Sequence, residues 1–396
     1  MTITIHRGTH QIGGCVTELR TASTRIVIDM GAQLPDCLAP QQRDELSVPG
    51  VTCGSADCDA VLFTHTHGDH VGLIDRILPG ISIYMGETAK ELYLTYCRRI
   101  QSKSVVAVEQ ARTFAPNQSL HFGDMIVTPF LIDHSAFDAY MFLVEAEGVR
   151  VLHTGDFRFH GFRGRKTCRM LEAYAGQVDY LVCEGTMLSR QGEDVMTERE
   201  LQERARALMR RYPRVFLLCS STNIDRIAAF YGARPDKRPV ICDDYQKELL
   251  ELVRQRHGGK TKLYDFQYVY PYYQNNEKLR KLIKERGFLA LIRANTWSQN
   301  LLEQYGDGGC VVYSMWSGYL AGSTKNEQLS KFLAPYDYEM LHTSGHATAS
   351  DIALLCKTVQ PKKGVIPIHS QCPQAFDKLL PEYNVVQASD GMPIIL

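Results

Sequence analysis

The sequence predicts an α/β protein, a β-rich domain interrupted by an inserted parallel α/β domain. Three observations carry that expectation. Short apolar runs of strand length crowd the region up to about residue 192. Strands and helices then alternate as far as Leu333, the pattern of a parallel sheet with crossover helices. From about Tyr338 the chain returns to strand, loop and helix. The expected domains are residues 1–194, an insertion over 195–335, and a closing part over 336–396. An insertion of about 140 residues has the size of a domain.

The first-half strands are Thr2–His6, Thr24–Asp29, Ala60–Phe63, Ile81–Tyr84, Met125–Leu131 and Val178–Cys183. Tyr140–Ala146 and Val149–Thr154 read as a hairpin turning at Glu147 and Gly148, because a two-residue turn with glycine suits antiparallel strands. Helical spacing is confined here to Glu87–Arg99 and the stretch after His70. In the insertion, Thr197–Arg211 reads as a helix opened by a capping box of Thr197 and Glu200. Val215–Cys219, Ile224–Tyr231, Val240–Cys242 and Tyr245–Arg256 continue the alternation, followed by Leu289–Ile292, Trp297–Gln304, Val311–Met315 and Glu327–Leu333. Pro393–Leu396 reads as a short closing strand.

Lys+Arg and Asp+Glu each number 44, so the formal net charge is zero. That balance excludes a strongly basic nucleic-acid coat and a polyanionic tail. A hydrophobic fraction of 44% and a charged fraction of 22% are ordinary for a soluble globular protein. The opening MTITIHRGTHQIGG does not read as a signal peptide. No stretch approaches the roughly 18–20 apolar residues that span a bilayer, so no membrane partner is expected. Twelve cysteines are scattered without a framework, and Cys183, Cys219, Cys310 and Cys356 sit in apolar runs. Buried free thiols suit a cytoplasmic location. Cys53 and Cys58 are the closest pair, but a zinc ribbon needs a second pair, and none is present.

The most informative stretch is AVLFTHTHGDHVGLI, residues 60–74. An apolar strand runs into His65, His67, Asp69 and His70 within six residues. These cannot share one helical face, where neighbours recur at three and four residues, but a tight loop at a strand end can aim them at two adjacent points. Imidazole and carboxylate are the ligands of open catalytic zinc sites. His134 in FLIDHSAFD, Asp156 in VLHTGDF and His369 in GVIPIHS each stand where another apolar strand stops. Asp29 in IVIDMG has the same context and suits a partner that orients a ligand histidine.

HTHGDH, preceded by Asp29 and followed by His134 and Asp156, resembles the metallo-β-lactamase superfamily. CEGT with Glu184, HTSGHA with His346 and IPIHS with His369 resemble the extra motifs of its nucleic-acid-processing β-CASP branch. The likeness is greatest to ribonuclease J-type enzymes, through IGG…IVIDMGAQLPD and the spacing of DHS to HTGDFR. The resemblance implies an αββα sandwich with an inserted β-CASP domain and a cleft between them. It implies two divalent metal ions, Zn²⁺ with Mn²⁺ as the alternative. His65, His67 and His134 would hold one, Asp69, His70 and His369 the other, and Asp156 both. Glu184 and His346 would form the protonating pair. A histidine at the third extra motif favours RNA over DNA as substrate.

The implied function is metal-dependent hydrolysis of RNA by a metal-bridged hydroxide, endonucleolytic or 5′-to-3′ exonucleolytic. The rivals are a DNA nuclease of the same branch and a small-molecule hydrolase on the same metal core. Two ions supply a nucleophile at neutral pH and neutralise phosphoryl charge, and a positioned histidine is the usual proton donor to the leaving oxygen. For RNA, expected to be single-stranded, the substrate-phosphate candidates are Arg158, Ser221, Asn223 and Ser344. Arg158 opens a basic run, FRFHGFRGRKTCRM, that reads equally as a phosphate track or a solvated loop. Ser221 and Asn223 stand where a strand gives way to a helix, as N-cap types or as a phosphate site. Ser344 precedes the Gly345–His346 pair. Tyr264, Phe266, Tyr268, Tyr270 and Tyr272 alternate, as on one face of a strand, and read as cover for the insertion's core ahead of a base-stacking platform. Only 27 residues follow His369, so the C-terminal domain of ribonuclease J-type enzymes is expected to be missing, which leaves homo-oligomer formation open.

Overall fold

Three mixed or parallel sheets organise the chain, which divides into two compact units, Met1–Glu193 with Gly345–Leu396, and Asp194–Ser344. The computed structural model describes residues 1–34, 44, 46–190, 195–235 and 238–396. Pro35 and Asp36 of the IVIDMGAQLPD motif lie outside the described residues.

The first unit holds two sheets. One has the spatial order Pro393–Ile395, Thr2–Arg7, Val16–Arg20, Arg25–Ile28, Ala60–Leu62, Ser82–Gly86 and Arg112–Phe114. The other runs Gly364–Ile368, Tyr180–Glu184, Val149–His153, Ala139–Ala146, Met125–Ile132 and Leu120–Phe122. Strand periodicity explains how they stack. Ile26 and Ile28 of one sheet join Phe142, Val144, Val182 and Ile366 of the other in a shared core. Val27 and Val61 point the opposite way, onto Tyr93 and Cys97 of the helix Glu87–Arg99. On the far side, Leu143, Leu181 and Val365 pack against Ile352, Leu355 and Val359 of the helix Ala349–Val359. The layers are therefore helix, sheet, sheet, helix. Central strands covered on both faces carry continuous apolar residues.

The hairpin forms as expected, with Ala146 opposite Val149. Glu147 and Gly148 both have positive φ, 51° and 75°, the conformation that a tight two-residue hairpin turn demands.

The second unit is a six-stranded sheet in the order Val269–Pro271, Val240–Cys242, Phe288–Ile292, Arg214–Leu218, Cys310–Tyr313 and Tyr338–Met340, all parallel. The capping box of Thr197 and Glu200 opens the helix Glu198–Arg211. Two features differ from the reading of the sequence. The unit runs on to Ser344 rather than 335, because Tyr338–Met340 pairs with Cys310–Tyr313 as the sixth strand. The alternating aromatics do not share one strand. Tyr264 ends a short 3₁₀ turn and only Val269–Pro271 is extended. Tyr264, Phe266 and Tyr272 are buried, so their apolar area outweighs their spacing.

Candidate metal centre

Most ligand candidates that the sequence offers in the first unit follow the C-terminal end of a strand, and Glu184 is the last residue of one. Arg25–Ile28 and Ala60–Leu62 are parallel, and they lead to Asp29 and to His65. Val149–His153, Tyr180–Glu184 and Gly364–Ile368 are parallel in the second sheet, and lead to Asp156, Glu184 and His369. Met125–Ile132 runs in the same direction, being antiparallel to a strand antiparallel to Val149–His153, and leads to His134. Asp69 and His70 lie on a single helical turn, Gly68–Val71, that follows His67. Close approach of the loops requires small residues. A Cβ on Gly31 would fall 1.8 Å from the Asp69 carbonyl oxygen. Asp29 and His369 take left-handed backbone conformations, with φ 63° and 50°. Such conformations cost about 1–3 kcal/mol each and collect at functional sites.

These strand ends bring the side chains to one place. His70 Nε2 lies 3.2 Å from Asp156 Oδ2, His65 Nε2 lies 3.8 Å from it, and His134 Nε2 lies 4.0 Å from it. His369 Nε2 is 3.2 Å from Asp69 Oδ2 and 3.8 Å from Asp156 Oδ2. His67 Nδ1 is 3.1 Å from His134 Nε2. The outer ring atoms are held separately. Asp29 Oδ2 meets His70 Nδ1 at 2.7 Å, while its carboxylate also accepts from the Thr64 amide and hydroxyl. The Gly345 carbonyl accepts from His134 Nδ1 at 2.6 Å. Thr186 Oγ1 meets His369 Nδ1 at 2.7 Å, and Thr64 Oγ1 meets His65 Nδ1 at 3.0 Å.

His346 Nδ1 lies 3.2 Å from Glu184 Oε1 and 3.5 Å from Asp156 Oδ2. Glu184 is fully buried and accepts from the Phe157, Thr186 and Ala347 amides, which fixes its carboxylate. Burial lowers the affinity of His346 for a proton, but Glu184 and Asp156 outweigh it and hold the group above its ordinary 6.5. Burial, then neighbouring histidines, push His65 well down, and burial, against the pull of Asp69 and Asp156, lowers His67 to about 4. Burial opposes charge on Asp69 and Asp156, yet the surrounding histidines hold both carboxyls below the usual range. His65, His67 and His134 are thus pushed toward the neutral imidazole, whereas Asp156 and Asp29 outweigh burial at His70 and hold it well above its ordinary value.

The cluster also fits a metal on its own terms. His65 Nε2, His70 Nε2 and both Asp156 oxygens are buried without a hydrogen-bond partner. Such orphans are costly unless a cation satisfies them. Four groups of side chains place ligand atoms within 4.8 Å of one another. They are His65, His67 and His134; His65, His70 and Asp156; Asp156, Glu184, His346 and His369; and Cys15, His70 and His369. Cys53 and Cys58 join no such group among the described residues.

Arg158 is not on the surface. It is fully buried, and its Nε donates to Asp133 Oδ1 at 2.7 Å, with Asp133 equally buried. The pair ties the loop after Asp156 to the residue before His134, and Asp133 also accepts from the Arg163 amide. Within the basic run only Lys166 and Arg169 are exposed among the described side chains. In the second unit, Asn223 caps the helix Ile224–Ala233 by accepting from the Arg226 amide. Ser221 is buried, with its hydroxyl 3.3 Å from Arg293 Nη1. Ser344 is also buried, at that unit's end. Thr186, the Gly345 carbonyl and Cys15 did not stand out in the sequence, because each is an ordinary residue whose partner is distant along the chain, and Thr64, though next to His65, meets Asp29 35 residues away. For Thr186 the one signal is its place two residues after Glu184 in CEGT.

The chain is similar to known proteins in two regions. A β-lactamase superfamily domain matches residues 24–219, and a Zn-dependent metallo-hydrolase RNA specificity domain matches residues 338–385. Ribonuclease J of Mycobacterium tuberculosis is 27% identical over 58% of this chain and 42% of its own length. Ribonuclease J of Helicobacter pylori strain B128 is 21% identical over 97% of this chain and 59% of its own. The chain thus spans only part of the length of these relatives. A crystal structure of a protein of unknown function from Enterococcus faecalis V583 shares the fold, with a TM-score of 0.79 at 20% identity over 100% of this chain and 99% of that one. Stacked αββα layers, ligand loops at the strand ends and both matched domains agree, and the chain belongs to the β-CASP branch of the metallo-β-lactamase superfamily.

Proposed function

We propose that the chain is a metal-dependent ribonuclease that hydrolyses phosphodiester bonds in single-stranded RNA. The observation that carries this is the Glu184–His346 pair, 3.2 Å apart, beside a buried cluster of histidines and carboxylates. His346 and His369 also fall inside the stretch similar to an RNA specificity domain. The relatives named ribonuclease J support the substrate class.

His65, His67 and His134 would hold one ion, and Asp69, His70 and His369 a second, with Asp156 facing both. Two divalent ions, zinc foremost and manganese as the alternative, supply activation of an attacking water and neutralisation of phosphoryl charge. The protein's own side chains do the rest. Asp29, Gly345 and Thr186 orient His70, His134 and His369 through their outer nitrogens. Glu184 faces His346 Nδ1 and favours the doubly protonated ring, whose Nε2–H would give its proton to the departing oxygen while Nδ1–H stays hydrogen-bonded to Glu184. The free thiols of the described cysteines fit work in a reducing, cytoplasmic compartment.

The test uses purified protein with matched RNA and DNA oligonucleotides bearing 5′-monophosphate, 5′-hydroxyl or 5′-triphosphate ends. Metal-dependent cleavage of RNA, absent in His67→Ala, is the expected result. Preference for the 5′-monophosphate would mark 5′-to-3′ exonuclease action, and indifference to the end would mark an endonuclease. Failure to cleave any RNA under metal-replete conditions sinks the proposal.

A further inference from the structure

The loop between the first two strands carries one residue with no place in that reading. Cys15 is buried, and its sulfur, a nitrogen of His70 and a nitrogen of His369 lie within 4.8 Å of one another. Its backbone is tied to the ligand loops on both sides. The Cys15 amide donates to the Asp69 carbonyl at 3.0 Å, and the Cys15 carbonyl accepts from the Gly31 amide at 3.0 Å. The His369 amide donates to the Gly8 carbonyl at 2.7 Å, which draws the same loop onto the third ligand strand. A Cβ on Gly8 would lie 3.3 Å from the Cys15 sulfur, so a larger residue there would crowd it. A second observation is independent of the thiol. His70 Nε2, in a side chain only 1% exposed, makes no hydrogen bond and faces the equally unbonded Asp156 Oδ2 at 3.2 Å, an arrangement that a shared cation would satisfy.

We propose that Cys15 is a thiolate ligand of the ion held by His70 and His369. The inference rests on reading the cluster as a metal site, and it adds a ligand and a selectivity to that site. The sulfur–metal bond forms as the S–H proton passes to solvent, with no change of oxidation state. Thiolate is a soft ligand that favours Zn²⁺ over Mn²⁺ or Mg²⁺, which prefer oxygen. The two positions would therefore differ, with His65, His67 and His134 beside the shared Asp156 at one and Cys15 adding sulfur at the other.

X-ray absorption at the zinc edge of the zinc-loaded protein decides this. The expected result is a sulfur neighbour at about 2.3 Å, amounting to about one sulfur per pair of zinc ions. Cys15→Ser loses that sulfur and binds one of its two ions at least ten-fold more weakly by chelator competition. Its preference for Zn²⁺ over Mn²⁺ falls at that position. Cys53→Ser, whose thiol joins no ligand group, keeps the sulfur signal. Cd²⁺ or Co²⁺ titration gives a second readout, a thiolate-to-metal charge-transfer band present in the wild type and absent in Cys15→Ser. Two bound zinc ions without a sulfur neighbour overturn the Cys15 assignment alone. A chain that binds no metal overturns both it and the metal-centre reading. Should Cys15→Ser fail to fold, the wild-type sulfur count is decisive.

Discussion

His65, His70, His134 and His369 share one arrangement. Each has Nδ1 occupied by Thr64, Asp29, the Gly345 carbonyl or Thr186, which leaves Nε2 turned toward Asp156. Occupying one nitrogen selects the tautomer and so sets the ring's ligand atom. His346 follows a different logic. Its Nδ1 faces Glu184, and the carboxylates of Glu184 and Asp156 outweigh burial to hold its proton above the ordinary value. A protonated donor is lost as pH rises through its pKa, so cleavage should decline on an alkaline limb governed by His346. Glu184→Gln removes a carboxylate that raises this pKa. The limb should then move to lower pH, with kcat down by about 10²-fold or more, while bound metal is retained. A kcat–pH profile measured at saturating metal checks the sign. An unmoved limb would show that Glu184 only packs the loop.

At the scale of elements, the site is assembled by strands that end together. These passages are legible in the sequence because a strand buried on both faces reads as an apolar run that stops at its first ionisable residue. IVID, AVLFTH, FLIDH and GVIPIH all show this. What connects the loops to one another is not legible. The partner of His369 is Thr186, 183 residues earlier, and that of His134 is a backbone carbonyl 211 residues later. Arg158 shows the cost of reading charge by sequence neighbours. Its run holds no acid, yet Asp133, 25 residues earlier, neutralises it in the interior. That pair stitches the loop carrying His134 to the loop following Asp156. Removing one partner of a buried pair strands the other and costs about 3–5 kcal/mol, whereas replacing both by apolar residues of similar volume is often neutral. Arg158→Ala should therefore lower unfolding free energy by about that amount, and Asp133→Leu with Arg158→Met should recover most of it. Urea denaturation of the single and double variants measures this, and a single variant as stable as the wild type would contradict it.

For the whole molecule, zero net charge first argues against nucleic acid, but it constrains only long-range capture. The cations that matter are concentrated where one unit buries ligands with nothing else to satisfy them. The unpartnered ligand atoms belong to one unit. In Met1–Glu193 with Gly345–Leu396, His65 Nε2, His70 Nε2 and both Asp156 oxygens lack partners. In Asp194–Ser344, buried Arg226 is matched by buried Glu198 at 2.9 Å, with further bonds to Ser314 and Thr343. Each buried orphan costs about 1–3 kcal/mol, and an ion at about a thousand times its dissociation constant stabilises the folded state by about 4 kcal/mol. Stripping metal with a chelator should therefore act on one unit. Amide hydrogen exchange should accelerate in Arg25–Ile28, Ala60–Leu62, Tyr180–Glu184 and Gly364–Ile368. Protection of Arg214–Leu218 and Phe288–Ile292 should persist. Readdition of Zn²⁺ should restore the first set. Equal loss of protection in both units on chelation would show instead that they unfold as one cooperative body, with the metal stabilising the whole chain rather than the sandwich that holds it.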